Sequence, residues 1–367
     1  MGDLALRGDG WPAPAADTLG MLRLPLFAAT LLLSLLAFVL LAAASAHAAP
    51  VGPLAQRLSA TGLFVAGSSE VIAPGVFPFT PQYALWSDGA DKRRWIRLPP
   101  GSAIDARHAD AWEFPPGTQF WKEFSHAGRR IETRLIERLP DRSWRYASYV
   151  WTEDGSEAWL APEAGLRALA RAEALEGRYE VPSRSDCLAC HEGAPVPVLG
   201  FTALLLSPAR DTPARPGDID LPGLAARGLL RGLDPALLLR APRIVAASAA
   251  ERAALGYLHA NCSHCHNHNG RPVPLTLAQT AQGNARGQDH ARVLASLIDV
   301  PSRFQGTGAR IVEPGDPAGS LLLQRMRSRA PLLQMPPLGS RHPDPEGLAL
   351  IARWIAALPP KPKELSP

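Results

Sequence analysis

The four cysteines of this 367-residue chain, Cys187, Cys190, Cys262 and Cys265, fall in two equally spaced pairs, each followed at once by histidine. The segments read C-L-A-C-H, ending at His191, and C-S-H-C-H, ending at His266. Residues three apart lie on the same side of a helical turn, so both thiols of a pair can reach the two vinyl groups of one porphyrin. The next residue then brings its imidazole beneath the ring. C-x-x-C-H is the pattern of covalent haem attachment. The spacing predicts two covalently bound haem c groups, with Cys187, Cys190, Cys262 and Cys265 as thioether positions and His191 and His266 as proximal iron ligands.

Two other chemistries use the same residue types. Two C-x-x-C pairs can build one zinc site of four thiolates. However, 71 residues separate Cys190 from Cys262, and zinc leaves both following histidines unexplained. A redox dithiol usually sits in a βαβ setting, and neither pair is flanked by that pattern. Around the second pair, His264 and His268 are expected to face solvent or the haem edge. His259, on the preceding helix, is expected at the surface rather than on iron.

The sixth iron position needs a second donor. After residue 48 the only methionines are Met326 and Met335. Met335 lies in L-L-Q-M-P-P-L-G, a stiff proline loop that can hold a thioether against iron, whereas Met326 follows three leucines and is expected in the core. Met335 is therefore predicted as the distal ligand of the second haem. The stretch after the first motif, E-G-A-P-V-P-V-L-G-F, holds neither histidine nor methionine. Its sixth position falls to His108, His126, His259, His290, His342 or Met326, or stays open.

The compartment follows from the N-terminus. Leu26–Ala44 is apolar apart from Thr30 and Ser34, Arg23 precedes it, and Ala46-His47-Ala48 has the form of a signal-peptidase site. Residues 1–48 are expected to be a signal peptide or, through residues 24–44, a membrane anchor. Translation from Met21 would leave 1–20 without a structural role. The rest of the chain is expected in the periplasm, soluble or anchored to the inner membrane. Two of the 38 basic and three of the 34 acidic residues lie in 1–48, which leaves 36 against 31 and a net +5. That mild balance, without basic runs, gives no reason to expect nucleic acid.

The elements that must position these residues differ along the chain. Residues 117–124, 129–138 and 143–151 alternate or cluster aromatic and β-branched residues, as strands do. In the middle one Ile131, Thr133 and Leu135 share a side, with Glu132 and Arg134 on the other. Residues 49–182 are predicted to form an antiparallel β-rich domain, a sandwich or open barrel. Seven of the nine tryptophans fall there, as core fillers or as a platform for a sugar or quinone. Glu113, Glu132 and Asp88 read as solvated strand or turn residues. Residues 161–177 have helical composition. Residues 183–220 hold the first motif and a polar, proline-rich linker at 207–218. Residues 221–360 are predicted to be mostly helical, giving an α+β multidomain chain, and 361–367 a disordered tail. Ser248 is placed to cap a helix running into the second motif, and Asp316 to cap another. The last helix puts Leu348, Ile351, Trp354, Ile355 and Leu358 on one face.

Residues 248–358 resemble a class I cytochrome c domain: a helix ending in C-S-H-C-H, then P-G-D-P-A-G-S-L-L, M-P-P-L-G and a terminal helix with W-I. The resemblance covers about a third of the chain. It implies that the first and last helices cross, bringing Gly256 and Tyr257 against Trp354 and Ile355. Beyond this, the mature chain is similar to a group of exported bacterial dihaem cytochrome-like proteins, which pair a β-rich front carrying L-W-S-D-G-A and F-P-P-G-T with two haem motifs. No M-P-P loop follows C-L-A-C-H, so the first haem departs from the class I pattern. The expected function is single-electron transfer with a periplasmic redox partner protein. The alternatives are a peroxidase-like enzyme with an open first haem, and an electron-transfer module on a carbohydrate- or partner-binding β domain.

Overall fold

The three aromatic and β-branched stretches pair in sequence order. The structure, a computed structural model, describes residues 52–269, 274–304 and 309–360. The expected signal or anchor at 1–48 and the tail at 361–367 lie outside the described residues. Among the described residues, no helix is long and apolar enough to cross a membrane. The strands are β1 (Val76–Pro78), β2 (Asp91–Arg97), β3 (Ile104–Asp105), β4 (Gln119–His126), β5 (Arg129–Arg138), β6 (Trp144–Trp151), β7 (Ala158–Leu160), β8 (Leu166–Ala170), β9 (Arg178–Val181) and β10 (Leu230–Arg231). The helices are α1 (Arg184–His191), α2 (Leu221–Ala226), α3 (Ala236–Leu239), α4 (Ala249–Cys262), α5 (Ala281–Ala285), α6 (Gln288–Leu297), α7 (Leu321–Arg327) and α8 (Pro345–Ala357).

β1, β2, β4, β5, β6 and β7 form, in that order, one six-stranded antiparallel sheet. β4 and β5 are joined by Ala127 and Gly128, both at positive φ (47° and 78°), the twist that a two-residue hairpin requires. The predicted sandwich or barrel is thus a single open sheet, and β3–β10 and β8–β9 are separate two-stranded ribbons.

Both faces of the sheet are covered. On one, Trp95, Trp121, Leu135 and Tyr149 pack beneath Leu58, Leu63 and Phe64 from the N-terminal segment. On the other, Ile96 and Phe120 join Phe79, Phe114 and Phe201 in a core that continues through Leu255 and Leu258 of α4 to Ile351, Trp354 and Ile355 of α8. This core draws on residues from both sides of residue 182. Covering also explains the tryptophans: Trp95, Trp112, Trp121 and Trp151 are each no more than 3% exposed and fill the interior. Only Trp159 among the seven is broadly exposed, and the Arg57 guanidinium lies over its ring.

Several local expectations change. Residues 161–177 are not a helix: Leu166 and Leu169 of β8 pack on Phe124, Ile131, Tyr179 and Val181, and this tertiary burial overrides the helical composition. The 207–218 segment is tied down, since Asp211 pairs with Arg243 and Arg252 and Ser207 is fully buried. Asp316 caps a turn, accepting from the Ala318 and Gly319 amides, and α7 starts four residues later than Asp316 would place it, behind Ser320. Glu132 is not solvated: it is completely buried, paired with Arg134 and accepting from the Tyr179 hydroxyl at 2.7 Å.

Candidate functional site

The two Cys–His segments, far apart in sequence, touch in space. The Asn267 side-chain amide donates to the Gly193 carbonyl at 2.9 Å, and also to the carbonyls of Ser263 and His264. A Cβ added to Gly193 would lie 2.8 Å from the His264 carbonyl oxygen, so the backbones themselves are in contact. Both segments open onto one cavity of about 750 Å³, lined by Cys187, Cys190, His191, Cys262, Cys265, His266 and Met335. All the residues predicted to bind cofactor therefore meet in a single space.

α1 presents the first segment. Ser183 caps it, its hydroxyl accepting from the Asp186 amide while the Asp186 carboxylate accepts from the Ser183 amide. The helix places Cys187 and Cys190 one turn apart and ends on His191. The chain then turns back, so that His191 Nδ1 lies 2.5 Å from the Pro197 carbonyl oxygen. A carbonyl only accepts, so Nδ1 carries the proton and the Nε2 lone pair is left for a metal. The Tyr146 ring packs 5.4 Å from the imidazole. Burial pushes the His191 pKa down to about 4, which keeps the ring neutral, the state in which it ligates.

α4 presents the second segment. Ser248 caps it by accepting from the Glu251 amide, as predicted, while the Glu251 carboxylate reaches the Ala247 amide. The Cys265 and His266 amides bond back to the Cys262 carbonyl, continuing the turn, and the His266 carbonyl accepts from Leu277 at 2.9 Å. Asn261 fixes this end of the helix, its amide donating to Ala84 and its oxygen accepting from the Trp86 amide at 2.7 Å. Trp86 Nε1 donates to the His342 carbonyl, and Asp88 accepts from the Arg341 and His342 amides. The stretch L-W-S-D (85–88) thus clamps the second segment to the loop that follows Met335. Its composition gave no sign of this role, because the partners lie more than 170 residues away.

Met335 is half-buried in the cavity wall, its amide bonded to the Arg325 carbonyl and the loop held by Arg325 Nε on the Leu333 carbonyl. Met326 is 8% exposed within the apolar core, as expected, and also reaches the cavity. His259 is not at the surface: it lines the cavity, with Nδ1 accepting from the Gln279 amide at 3.1 Å, and burial lowers its pKa to about 4. His264 also lines the cavity, whereas His268 is exposed. Of the other candidates for the first iron, His126 and His342 reach the cavity, His108 is exposed, and His290 Nε2 lies 2.6 Å from Glu251.

The thiols are half-buried. Burial raises the pKa of Cys187, takes Cys190 to about 11 and takes Cys262 to about 12. A redox dithiol depends on the opposite shift, toward thiolate. Among the described residues, no group of three or more His, Cys, Asp or Glu side chains is gathered to hold a metal ion. A C-x-x-C-H site asks for less, one imidazole and two thiols at a ring edge in an apolar space, and the residues present fit that requirement. No protein-family model, curated protein or solved structure matches this chain.

Proposed function

We propose that the chain is an exported dihaem c-type cytochrome that transfers single electrons. Covalent haem c at Cys187/Cys190 with His191, and at Cys262/Cys265 with His266, supplies a ferric/ferrous couple at each site. The observation that carries this reading is the meeting of both segments and Met335 at one largely apolar cavity, across 71 intervening residues. An arrangement of two unrelated dithiols has no need of that adjacency.

The chain's own residues supply the rest. Pro197 orients the His191 ring and fixes its tautomer. Trp86, Asp88 and Asn261 hold the second segment and the Met335 loop in register, so that His266 and the Met335 thioether face one space. A thioether in the sixth position raises the potential relative to a second imidazole. Asn267 and Gly193 keep the two sites adjacent, which suits exchange of an electron within the molecule before it passes to a periplasmic partner protein. We take residues 221–360 as the cytochrome c-like helical part. α4 and α8 pack together there, with Gly347 of α8 against the Tyr257 ring. Gly256, expected against the last helix, instead receives Tyr83 from the β-rich part. Export, with residues 1–48 as signal or anchor, rests on the N-terminal sequence alone.

The test of carriage against catalysis is ligand access. Carbon monoxide added to the reduced protein and cyanide added to the oxidised protein should bind slowly or not at all if both irons are six-coordinate. Rapid binding at one haem, with high-spin iron beforehand, would defeat the carrier reading in favour of small-molecule chemistry at that site.

A further inference from the structure

The cavity face of the sheet carries a row of cations. Arg94 on β2, Lys122 on β4 and Arg134 on β5 are direct cross-strand neighbours, and all three line the cavity. Like charges placed opposite one another on a sheet repel. Here only one is compensated. Burial works against the Arg134 charge, but the Glu132 carboxylate, held through two hydrogen bonds of 2.8 Å, outweighs it. Arg94 is 8% exposed, yet among the described residues its guanidinium makes no hydrogen bond or ion pair with a carboxylate. Lys122 likewise has no hydrogen-bond partner among the described residues, and its ammonium lies over the Phe124 ring, 4.7 Å from the centroid. Burial, followed by Arg94 and Arg134, pushes its pKa well below the usual lysine value. Buried charge is expensive unless paired. The nearby carboxylates act on these two cations only through space and are outweighed, Asp218 on Arg94 by Arg215, and Glu132 on Lys122 by Arg94, Arg134 and Lys92.

We propose that the row Arg94–Lys122–Arg134 is an anion site that receives carboxylates inside the cavity, and that these are the propionate carboxylates of the haem groups. The source of the carboxylates rests on the dihaem reading; the charge excess does not. Two half-filled cations on one sheet face suit a planar, forked acceptor. A guanidinium offers it two parallel donors and an ammonium a point charge. Filling the row turns the repulsion between neighbours into shared attraction and leaves Lys122 protonated.

The experiment uses the full chain matured with haem, as wild type, Lys122→Gln, Lys122→Arg, Arg94→Gln and the exposed control Arg286→Gln. Haem content by pyridine haemochrome comes first, so that failure of the dihaem reading is seen separately. Removing a cation beside the haem favours the ferric state, so the midpoint potential of at least one couple should fall in Lys122→Gln and in Arg94→Gln. Lys122→Arg should hold it near wild type, and Arg286→Gln should leave it unchanged. With haem carboxyls labelled with carbon-13, the infrared carboxylate band should shift in Lys122→Gln and not in the control. If the glutamine variants do not fold, the wild-type spectrum still decides. Labelled carboxyls ionised at pH 5 support the site, and a protonated carboxyl band there overturns it. Succinate that binds wild type, is lost in Lys122→Gln and leaves the labelled band unmoved overturns the haem source in favour of a soluble carboxylate. Loss of low-spin iron in Lys122→Gln makes Lys122 an iron ligand and overturns the anion site. So do unchanged potentials and bands with no succinate binding.

Discussion

Replacing Gly193 by alanine tests the adjacency of the two segments. The new Cβ would stand 2.8 Å from the His264 carbonyl oxygen. Carbon makes comfortable contact with a heavy atom at about 3.5 Å, so the two backbones must separate by roughly 0.7 Å. No rotamer relieves the clash, because both atoms are fixed to main chain. Asn267 resists the movement, since its amide bonds to Gly193 on one side and to Ser263 and His264 on the other. Overpacking of this kind costs about 1–3 kcal/mol, and in a chain this size that lowers the melting temperature by roughly 2–6 °C. Gly52→Ala, where nothing lies within 4 Å, is the control and should be neutral. Thermal unfolding followed by Soret absorbance and far-ultraviolet circular dichroism reads the loss, and magnetic coupling between the irons should weaken. If Gly193→Ala melts with wild type and the coupling is unchanged, the segments are not in backbone contact and the argument from adjacency fails.

Three further outcomes follow from the same geometry. Glu132→Ala leaves Arg134 unpaired and takes the acceptor from Tyr179, and should destabilise the protein by about 3 kcal/mol in chemical denaturation. Met335→His should abolish the weak sulfur-to-iron band at the red end of the ferric spectrum and lower one of two midpoint potentials; an unchanged spectrum removes Met335 from the site. The hydrogen bond from Arg252, then that from Arg243, holds the Asp211 carboxyl below its unperturbed 3.8, against the effect of burial. Its contribution is therefore present above about pH 4, where the unfolded carboxyl is ionised, and is lost as pH falls through the folded value. Asp211→Asn should flatten that acid limb and cost less than about 1 kcal/mol at neutral pH, because the pair is partly exposed.

How much of this was legible in the sequence depended on whether the signal was local. β4, β5 and β6 were readable within two residues of their ends, because alternation and turn residues are local cues. The cap at Ser248 was readable, whereas Ser320 rather than Asp316 stands at the start of α7 and makes no capping hydrogen bond with its side chain. The two cysteine–histidine segments stood out because C-x-x-C-H is a fixed spacing, and the structure brings both of them and Met335 to one cavity. The single open sheet was not, since its outer face is closed by residues 54–76, a stretch without alternation. β8 was misread because alanine-rich composition says nothing of the hydrophobic surface waiting for Leu166 and Leu169. The clamp by Trp86, Asp88 and Asn261, the contact of Gly193 with His264, and the cation row all join residues distant in sequence. No periodicity reports such pairings. Glu132 and His259 were placed at the surface because charge and polarity are normally solvated there; Glu132 is instead buried with Arg134, and His259 is half-buried in the cavity wall, accepting from Gln279.

The most direct measurement is the number of covalent haems per chain, by pyridine haemochrome on denatured protein matured in a host that attaches c-type haem. The account predicts two in the intact protein, and one when Cys187 and Cys190 are both changed to alanine. A single haem in the intact protein, or zinc with no haem, would contradict it.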